Sequence, residues 1–228
     1  MSIPKNIFQT HKSLKYIKTK PKVLNAMKSW LNHSNEFNYF FYSNELCDNF
    51  MSENFDENVN KAYQKLPLPV MKADLWRYCV IYKYGGIYAD SDTILLNNPN
   101  LFLTDALLTI VPENETHLCQ WVFSAPKESP ILKTIIDLSV ERILNMKEIK
   151  GEHIIHYLTG PGVFTDGIER YLKENKKPIF SNKKYYYYYS DSILKVFNYD
   201  IFHKKIVKHL FTGQDDDGWC NERNAKLI

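Results

Sequence analysis

The sequence predicts an α/β fold, a central and mostly parallel sheet flanked by helices. Two observations lead there. Short apolar or aromatic runs of strand length alternate with longer stretches whose apolar residues recur at helical spacing. No internal repeat or long linker interrupts the alternation, and 228 residues suit one domain, residues 1–228, with a substantial core.

Residues 3–10 (IPKNIFQT) read as the first strand. Residues 21–32 carry Val23, Leu24, Met27, Trp30 and Leu31 on one helical stripe, with proline at the start. Residues 37–42 (FNYFFY) form an aromatic strand, and Asn44 is placed to cap a helix running towards Phe55. A second clear helix covers residues 69–84 and is stopped by Gly85 and Gly86. Short strands at 87–89 and 94–96 then flank two aspartates. Strands follow at 106–111 and 121–125, then a long helix at 130–146 with Ile131, Ile135, Leu138 and Ile143 along one face. The loop TGPGV at 159–163 opens a helix through Leu172, and the tyrosine run 185–189 reads as a strand because aromatics favour pleated surfaces.

Composition excludes several classes. A formal net charge of +3 is mild and does not by itself suggest a nucleic-acid binder. The four cysteines (Cys47, Cys79, Cys119, Cys220) are scattered without a C-x-x-C pair, which argues against a zinc knuckle or redox pair and fits reduced thiols in the cytoplasm. No apolar run reaches the length of a membrane span, and none resembles a signal peptide, so a soluble cytoplasmic protein is expected.

The informative stretch is YGGIYADSDTILL (84–96), in which Asp90 and Asp92 stand between two apolar runs. Ionised carboxylates are costly to bury unpaired, so these either lie on a solvated turn or share a cation. Residues two apart on a strand point the same way about 6.5–7 Å apart, too far for one small ion unless the backbone turns. A strand end supplies such a turn, and two carboxylates then offer a hard oxygen site for Mn²⁺ or Mg²⁺ with room for water and phosphate. Upstream, Asp74, Arg77, Ile81 and Tyr84 recur in steps of three and four on one helix face. The apolar members turn that face inward, where a carboxylate beside one of only four arginines suits sugar hydroxyls and phosphate oxygens better than a surface ion pair.

The stretch MKADLWRYCVIYKYGGIYADSD (71–92) resembles the glycosyltransferases that carry a DXD sugar-binding region. These include initiation-specific α-1,6-mannosyltransferases and capsular-polysaccharide transferases, with glucosylating toxins as distant relatives. Their pattern is K-x-D-x-x-R leading into Y-G-G-x-Y-x-D-x-D. IPKNIFQTHK (3–12), QWVFSAPKESP (120–130), the TGP turn and HLFTGQDDDGW (209–219) extend the likeness along the chain. The resemblance implies a GT-A-type, Rossmann-like fold and a retaining hexosyl transfer, of mannose or glucose type, from a GDP- or UDP-sugar to a glycan, lipid-linked or protein acceptor. It implies Mn²⁺ or Mg²⁺ held by Asp90, Asp92 and His209. Asp74, Arg77 and Gln120 take the catalytic or sugar-contact positions. Gln9, Thr10, His11, Tyr88, Asp90, Gly160 and Trp219 take substrate-binding positions.

The chain departs from the pattern at Phe8 and His11, which touch base recognition, and at Gln120, where asparagine is usual. Asp215, Asp216 and Asp217 make the C-terminal element longer and more acidic. Two alternatives stay open on the residues alone. DSDTI (90–94) partly fits the D-x-D-x-T of haloacid-dehalogenase-type phosphatases but fails at Ile94. A non-catalytic sugar-binding domain of the same fold would keep the site without turnover. His153 and His156 read as structural or surface residues.

Overall fold

The computed structural model describes residues 2–188 and 190–210. In chain order the elements are β1 (Asn6–Thr10), α1 (Leu14–Lys18), α2 (Pro21–Leu31), β2 (Asn38–Tyr42), α3 (Asn44–Asn54), α4 (Glu57–Lys65), α5 (Pro69–Tyr84), β3 (Gly86–Ala89) and β4 (Thr93–Leu95). There follow β5 (Leu108–Ile110), β6 (Val122–Ala125), α6 (Pro130–Asn145), α7 (Ile154–Leu158), α8 (Pro161–Glu174), β7 (Leu194–Val196), α9 (Tyr199–Lys205) and β8 (Val207–His209). Among the described residues no helix is long and apolar enough to cross a membrane.

Six strands form one sheet in the order β2-β1-β3-β6-β5-β7, in which only β6 runs against its neighbours. Successive side chains of a strand point to opposite faces, and here both faces are covered. Phe8, Tyr88 and Phe123 pack against the α5, α6 and α8 side. Ile7, Ile87, Ala89 and Val122 pack with Trp30, Phe102 and Phe202 on the other. That two-sided burial explains why these strands read as continuous apolar runs. α5 is likewise buried almost all round, from Met71 through Ile81, so the polar pair Asp74 and Arg77 lies inside the molecule.

The helix stops and the strand starts within two residues because both are glycine. Gly85 has φ +67° and its N–H closes the helix on the Ile81 carbonyl at 2.8 Å. Gly86 has φ +124°, and a Cβ there would stand 2.6 Å from the Asn6 carbonyl oxygen of β1. Only glycine meets both demands without strain. Proline opens α2, α5, α6 and α8, at the position where its missing N–H costs nothing.

Two expectations need correction. The tyrosine run is not a strand: Lys183–Tyr188 forms a 3-10 turn, and Tyr189 lies outside the described residues. Asn182 Oδ1 accepts the Lys184 N–H at 3.0 Å and starts the turn, Tyr186 fills a core site edge-on to Phe180 while Tyr185 is exposed, and the sheet position beside β5 belongs to β7. The cap of α3 is Ser43, whose Oγ accepts the Leu46 N–H at 3.3 Å, and Asn44 is the first helical residue.

Candidate active site

The carboxyl ends of β1 and β3 open onto a cavity of about 550 Å³. Asp90 follows β3 directly, and its backbone is fixed from three sides. Its N–H donates to the Trp121 carbonyl at 2.8 Å, and its own carbonyl accepts from Gln9 Nε2 at 3.1 Å and Thr93 Oγ1 at 2.6 Å. The Thr93 N–H also closes on that carbonyl at 3.1 Å, so residues 90–93 form a hydrogen-bonded turn. This turn draws the two aspartates closer than an extended strand allows.

His209 joins them through a second, two-stranded sheet. β8 pairs antiparallel with β4, setting Thr93 opposite His209, and the Leu210 N–H donates to the Asp92 carbonyl at 3.0 Å. His209 Nε2 then lies 3.3 Å from Asp92 Oδ1, and the imidazole is stacked on Trp121. Ligand atoms of Asp90, Asp92 and His209 all fall within 4.8 Å of one another. Burial alone would lower the His209 pKa, but the hydrogen bond and charge of Asp92, with Asp90 and Glu113, raise it.

The cavity's inner wall comes from α5. Arg77 Nη2 lies 2.8 Å from Asp74 Oδ1 and 3.3 Å from Asp90 Oδ1, so one guanidinium bridges two carboxylates. Its plane sits 4.8 Å above the Tyr88 ring, and the Tyr88 hydroxyl donates to Asp90 Oδ1. Asp74 also accepts from Gln120 Nε2 at 3.3 Å and from Thr159 Oγ1 at 3.1 Å. Burial is the largest influence on Asp74 and pushes its carboxyl up to about 7, against the pull of Arg77. Asp90 is raised too, by burial and Asp92, with Arg77 opposing. Burial disfavours the Arg77 charge, yet Asp90, Tyr88 and Asp74 together hold the guanidinium protonated.

Thr10, His11, Asp74, Arg77, Tyr88, Asp90, Asp92, Gln120 and His209 therefore line one cavity. Gln9 does not. It is fully buried, donates to the Asp90 carbonyl and accepts from the Tyr39 hydroxyl at 2.7 Å, so it braces the turn from behind. Gly160 caps α8 beneath the wall, where Pro161 is the residue that reaches the cavity. Gln120 has both ends of its amide engaged, the oxygen by the Tyr78 hydroxyl and the nitrogen by Asp74. Trp219 and Asp215, Asp216 and Asp217 lie outside the described residues. His156 reaches the cavity edge, whereas His153 is an exposed residue at the start of α7 with φ +59°. Sequence reasoning missed Glu113, Trp121 and His203. Trp121 stood next to a singled-out residue, but Glu113 and His203 carry no motif.

The donor set suits a divalent cation. Two carboxylate oxygens and one imidazole nitrogen make a mostly oxygen donor set, and the cavity leaves positions for oxygen ligands from elsewhere. Charge agrees, since Asp74, Asp90, Asp92 and Glu113 line a space in which Arg77 is the single guanidinium among the described residues.

A six-stranded, mostly parallel sheet with helices on both faces, and an Asp-x-Asp turn at its carboxyl edge, defines the GT-A fold of glycosyltransferases. Residues 20–111, which hold α5, the paired glycines and both aspartates, match the family described as the glycosyltransferase sugar-binding region containing the DXD motif. The resemblance read from the sequence thus holds over the segment that carries its motifs. The initiation-specific alpha-1,6-mannosyltransferase of Candida albicans is 26% identical over 219 residues, 79% of this chain and 57% of that protein. Its namesake in Schizosaccharomyces pombe is 27% identical over 198 residues, 75% of this chain and 49% of that protein. The chain thus spans about half the length of these curated relatives. Among solved structures, PaToxG Glycosyltransferase superposes with a TM-score of 0.55 at 20% identity, covering 75% of this chain and 70% of that one, a likeness of fold.

Proposed function

We propose that this chain is a metal-dependent, retaining hexosyltransferase that moves mannose or glucose from a GDP- or UDP-sugar to a hydroxyl of a glycan, lipid-linked or protein acceptor. The observation that carries the reading is the convergence of Asp74, Arg77, Asp90, Asp92 and His209 on one cavity. The names of the relatives favour mannose within that class.

A divalent cation held by Asp90, Asp92 and His209 would neutralise the diphosphate and so ease its departure without a general acid. The chain's own residues do the rest. Arg77 offers a fixed positive charge to the negative charge that builds on the departing diphosphate, and its Nε has no partner among the described residues. Asp74 has both oxygens engaged by Arg77, Gln120 and Thr159, so it orients Arg77 and the amide rather than attacking the sugar. Tyr88 supports the guanidinium from below and holds Asp90 through its hydroxyl. Thr10 and His11, at the end of β1, lie where a nucleotide entering over the sheet edge would meet the chain.

The test is thermal stability with UDP-, GDP- and other nucleotide-sugars, with and without Mn²⁺, in wild type and Asp92→Ala. A ligand that binds the native state raises the melting temperature. Stabilisation by one nucleotide class that needs Mn²⁺ and vanishes in Asp92→Ala supports the reading, and slow donor hydrolysis shows that the site turns over. Indifference to every nucleotide-sugar removes it.

A further inference from the structure

Glu113 lines the same cavity, and its charge acts on His209 across it. Its Oε2 is buried without a hydrogen-bond partner among the described residues. The backbone beneath it is firmly placed. Pro112 and Leu118 form a β-bridge, the Glu113 N–H donates to the His117 carbonyl at 3.0 Å, and His203 Nε2 lies 3.4 Å from the Pro112 carbonyl oxygen. A short hairpin thus carries an acid to the cavity wall and leaves its Oε2 without a partner among the described residues. A buried carboxylate oxygen without a partner is costly, and such atoms are rare in native proteins unless something else completes them.

Three kinds of group can complete a carboxylate. Among the described residues, Arg77 is committed to Asp74 and Asp90, and His209 is paired with Asp92. The candidate cation site comprises Asp90, Asp92 and His209 and leaves Glu113 out. The remaining kind is a neutral donor. A diphosphate has no such donor and is repelled by the charge, whereas a hexose presents several hydroxyls.

We propose that Glu113 accepts a hydrogen bond from a hexose hydroxyl bound in the cavity, and so fixes the sugar on the side away from the diphosphate. This rests on the hexosyl-transfer reading above. The hydroxyl belongs either to the donor's hexose or to the acceptor. Because Gln keeps one acceptor oxygen and Ala keeps none, the two substitutions grade the effect.

The experiment is calorimetric binding in Mn²⁺ of GDP, UDP and their hexose conjugates to wild type, Glu113→Gln and Glu113→Ala. Donor hydrolysis and transfer to methyl α-mannoside are measured alongside. The free nucleoside diphosphate binds all three proteins alike. If the donor's hexose is the partner, only the nucleotide-sugar weakens, by about ten- to a hundredfold in Glu113→Ala and by less in Glu113→Gln. If the acceptor is the partner, donor binding and hydrolysis hold, and KM for methyl α-mannoside rises by a similar factor with kcat little changed. Equal weakening of the free diphosphate and its sugar conjugate, or no change in any binding or transfer step, overturns the proposal. Wild type that binds no nucleotide-sugar removes the transferase reading and this one together. Wild type that binds, with both variants unaffected, removes this one alone.

Discussion

The Trp121 ring lies flat on the His209 imidazole, with centroids 4.8 Å apart and planes 8° apart. The same residue's carbonyl accepts the Asp90 N–H at 2.8 Å. One tryptophan therefore braces two of the three candidate metal ligands, one through its ring and one through its backbone. Groups that orient a ligand in this way typically matter by ten- to a hundredfold in metal affinity. Trp121→Ala keeps the backbone bond and removes the stack, so it is expected to weaken Mn²⁺ binding by about tenfold, while Trp121→Phe keeps most of the affinity. Titration of free Mn²⁺ by electron paramagnetic resonance checks this, and equal affinity in all three proteins rules it out.

Arg77 compensates two carboxylates at once. Removing one partner of a buried charge network leaves the other uncompensated, at a cost of about 3–5 kcal/mol. Arg77→Met is therefore expected to lose stability of that order in urea unfolding. Asp74→Asn removes one of the two stranded charges, so the double variant should lose clearly less than the sum of the two single losses. Arg77→Lys keeps the charge, but its single ammonium cannot span Asp74 and Asp90 as the planar fork does, and an intermediate loss follows. Strictly additive losses would show that the pair does not act as a unit.

The raised carboxyls give the metal-free protein an unusual pH dependence. Asp74 is pushed up to about 7 by burial, from a value near 4 in an unfolded chain. Between those limits the native state holds the proton that the unfolded state has released. The unfolded state binds fewer protons there, so stability falls as pH rises through that window. Asp90 and Glu113, also raised by burial, act in the same direction. His117 and His203 are lowered by burial and act oppositely through the histidine range. Denaturant unfolding at pH 5 and pH 8 without divalent ions should find less stability at the higher pH, and Asp74→Asn should narrow the gap. The readout is the difference between the two pH values, which a general loss of stability does not alter. An unchanged gap in Asp74→Asn would mean that Asp74 is already ionised at pH 5.

Much of this site was legible because its residues sit on one short stretch with strict geometric needs. The period of α5 put Asp74 and Arg77 together, and the glycines marked where helix becomes strand. The D-x-D needed a turn, and Thr93 supplies it by bonding back to the Asp90 carbonyl. What stayed hidden depends on long-range pairing. Glu113 reaches the cavity through a bridge between Pro112 and Leu118, and Trp121 meets His209 through the pairing of β4 with β8. Neither relation leaves a periodic trace. The tyrosine run misled for a related reason: aromatic content favours a strand only where a neighbouring strand is free to pair, and β7 holds that edge.

Gly86 offers the sharpest test of how the strand carrying Asp90 is positioned. It is the first residue of β3, and a Cβ there would stand 2.6 Å from the Asn6 carbonyl oxygen and 2.8 Å from Asn6 Cβ. Its φ of +124° is also one that L side chains rarely adopt. Both the backbone angle and the contact with β1 must give way in Gly86→Ala. Strained backbone of this kind costs on the order of 1–3 kcal/mol, and the clash adds to it. Because β3 runs straight into Asp90, relief by sliding β3 away from β1 moves the turn that holds both aspartates. Gly86→Ala is thus expected to lower stability by at least about 2 kcal/mol and to weaken Mn²⁺ binding as well, although it touches no ligand. Gly151→Ala is the control: it has a similar φ of +119° but nothing within 4 Å, so it should carry strain alone and leave Mn²⁺ binding unchanged. Equal effects of the two substitutions on metal affinity would argue that packing of β3 against β1 does not set the site.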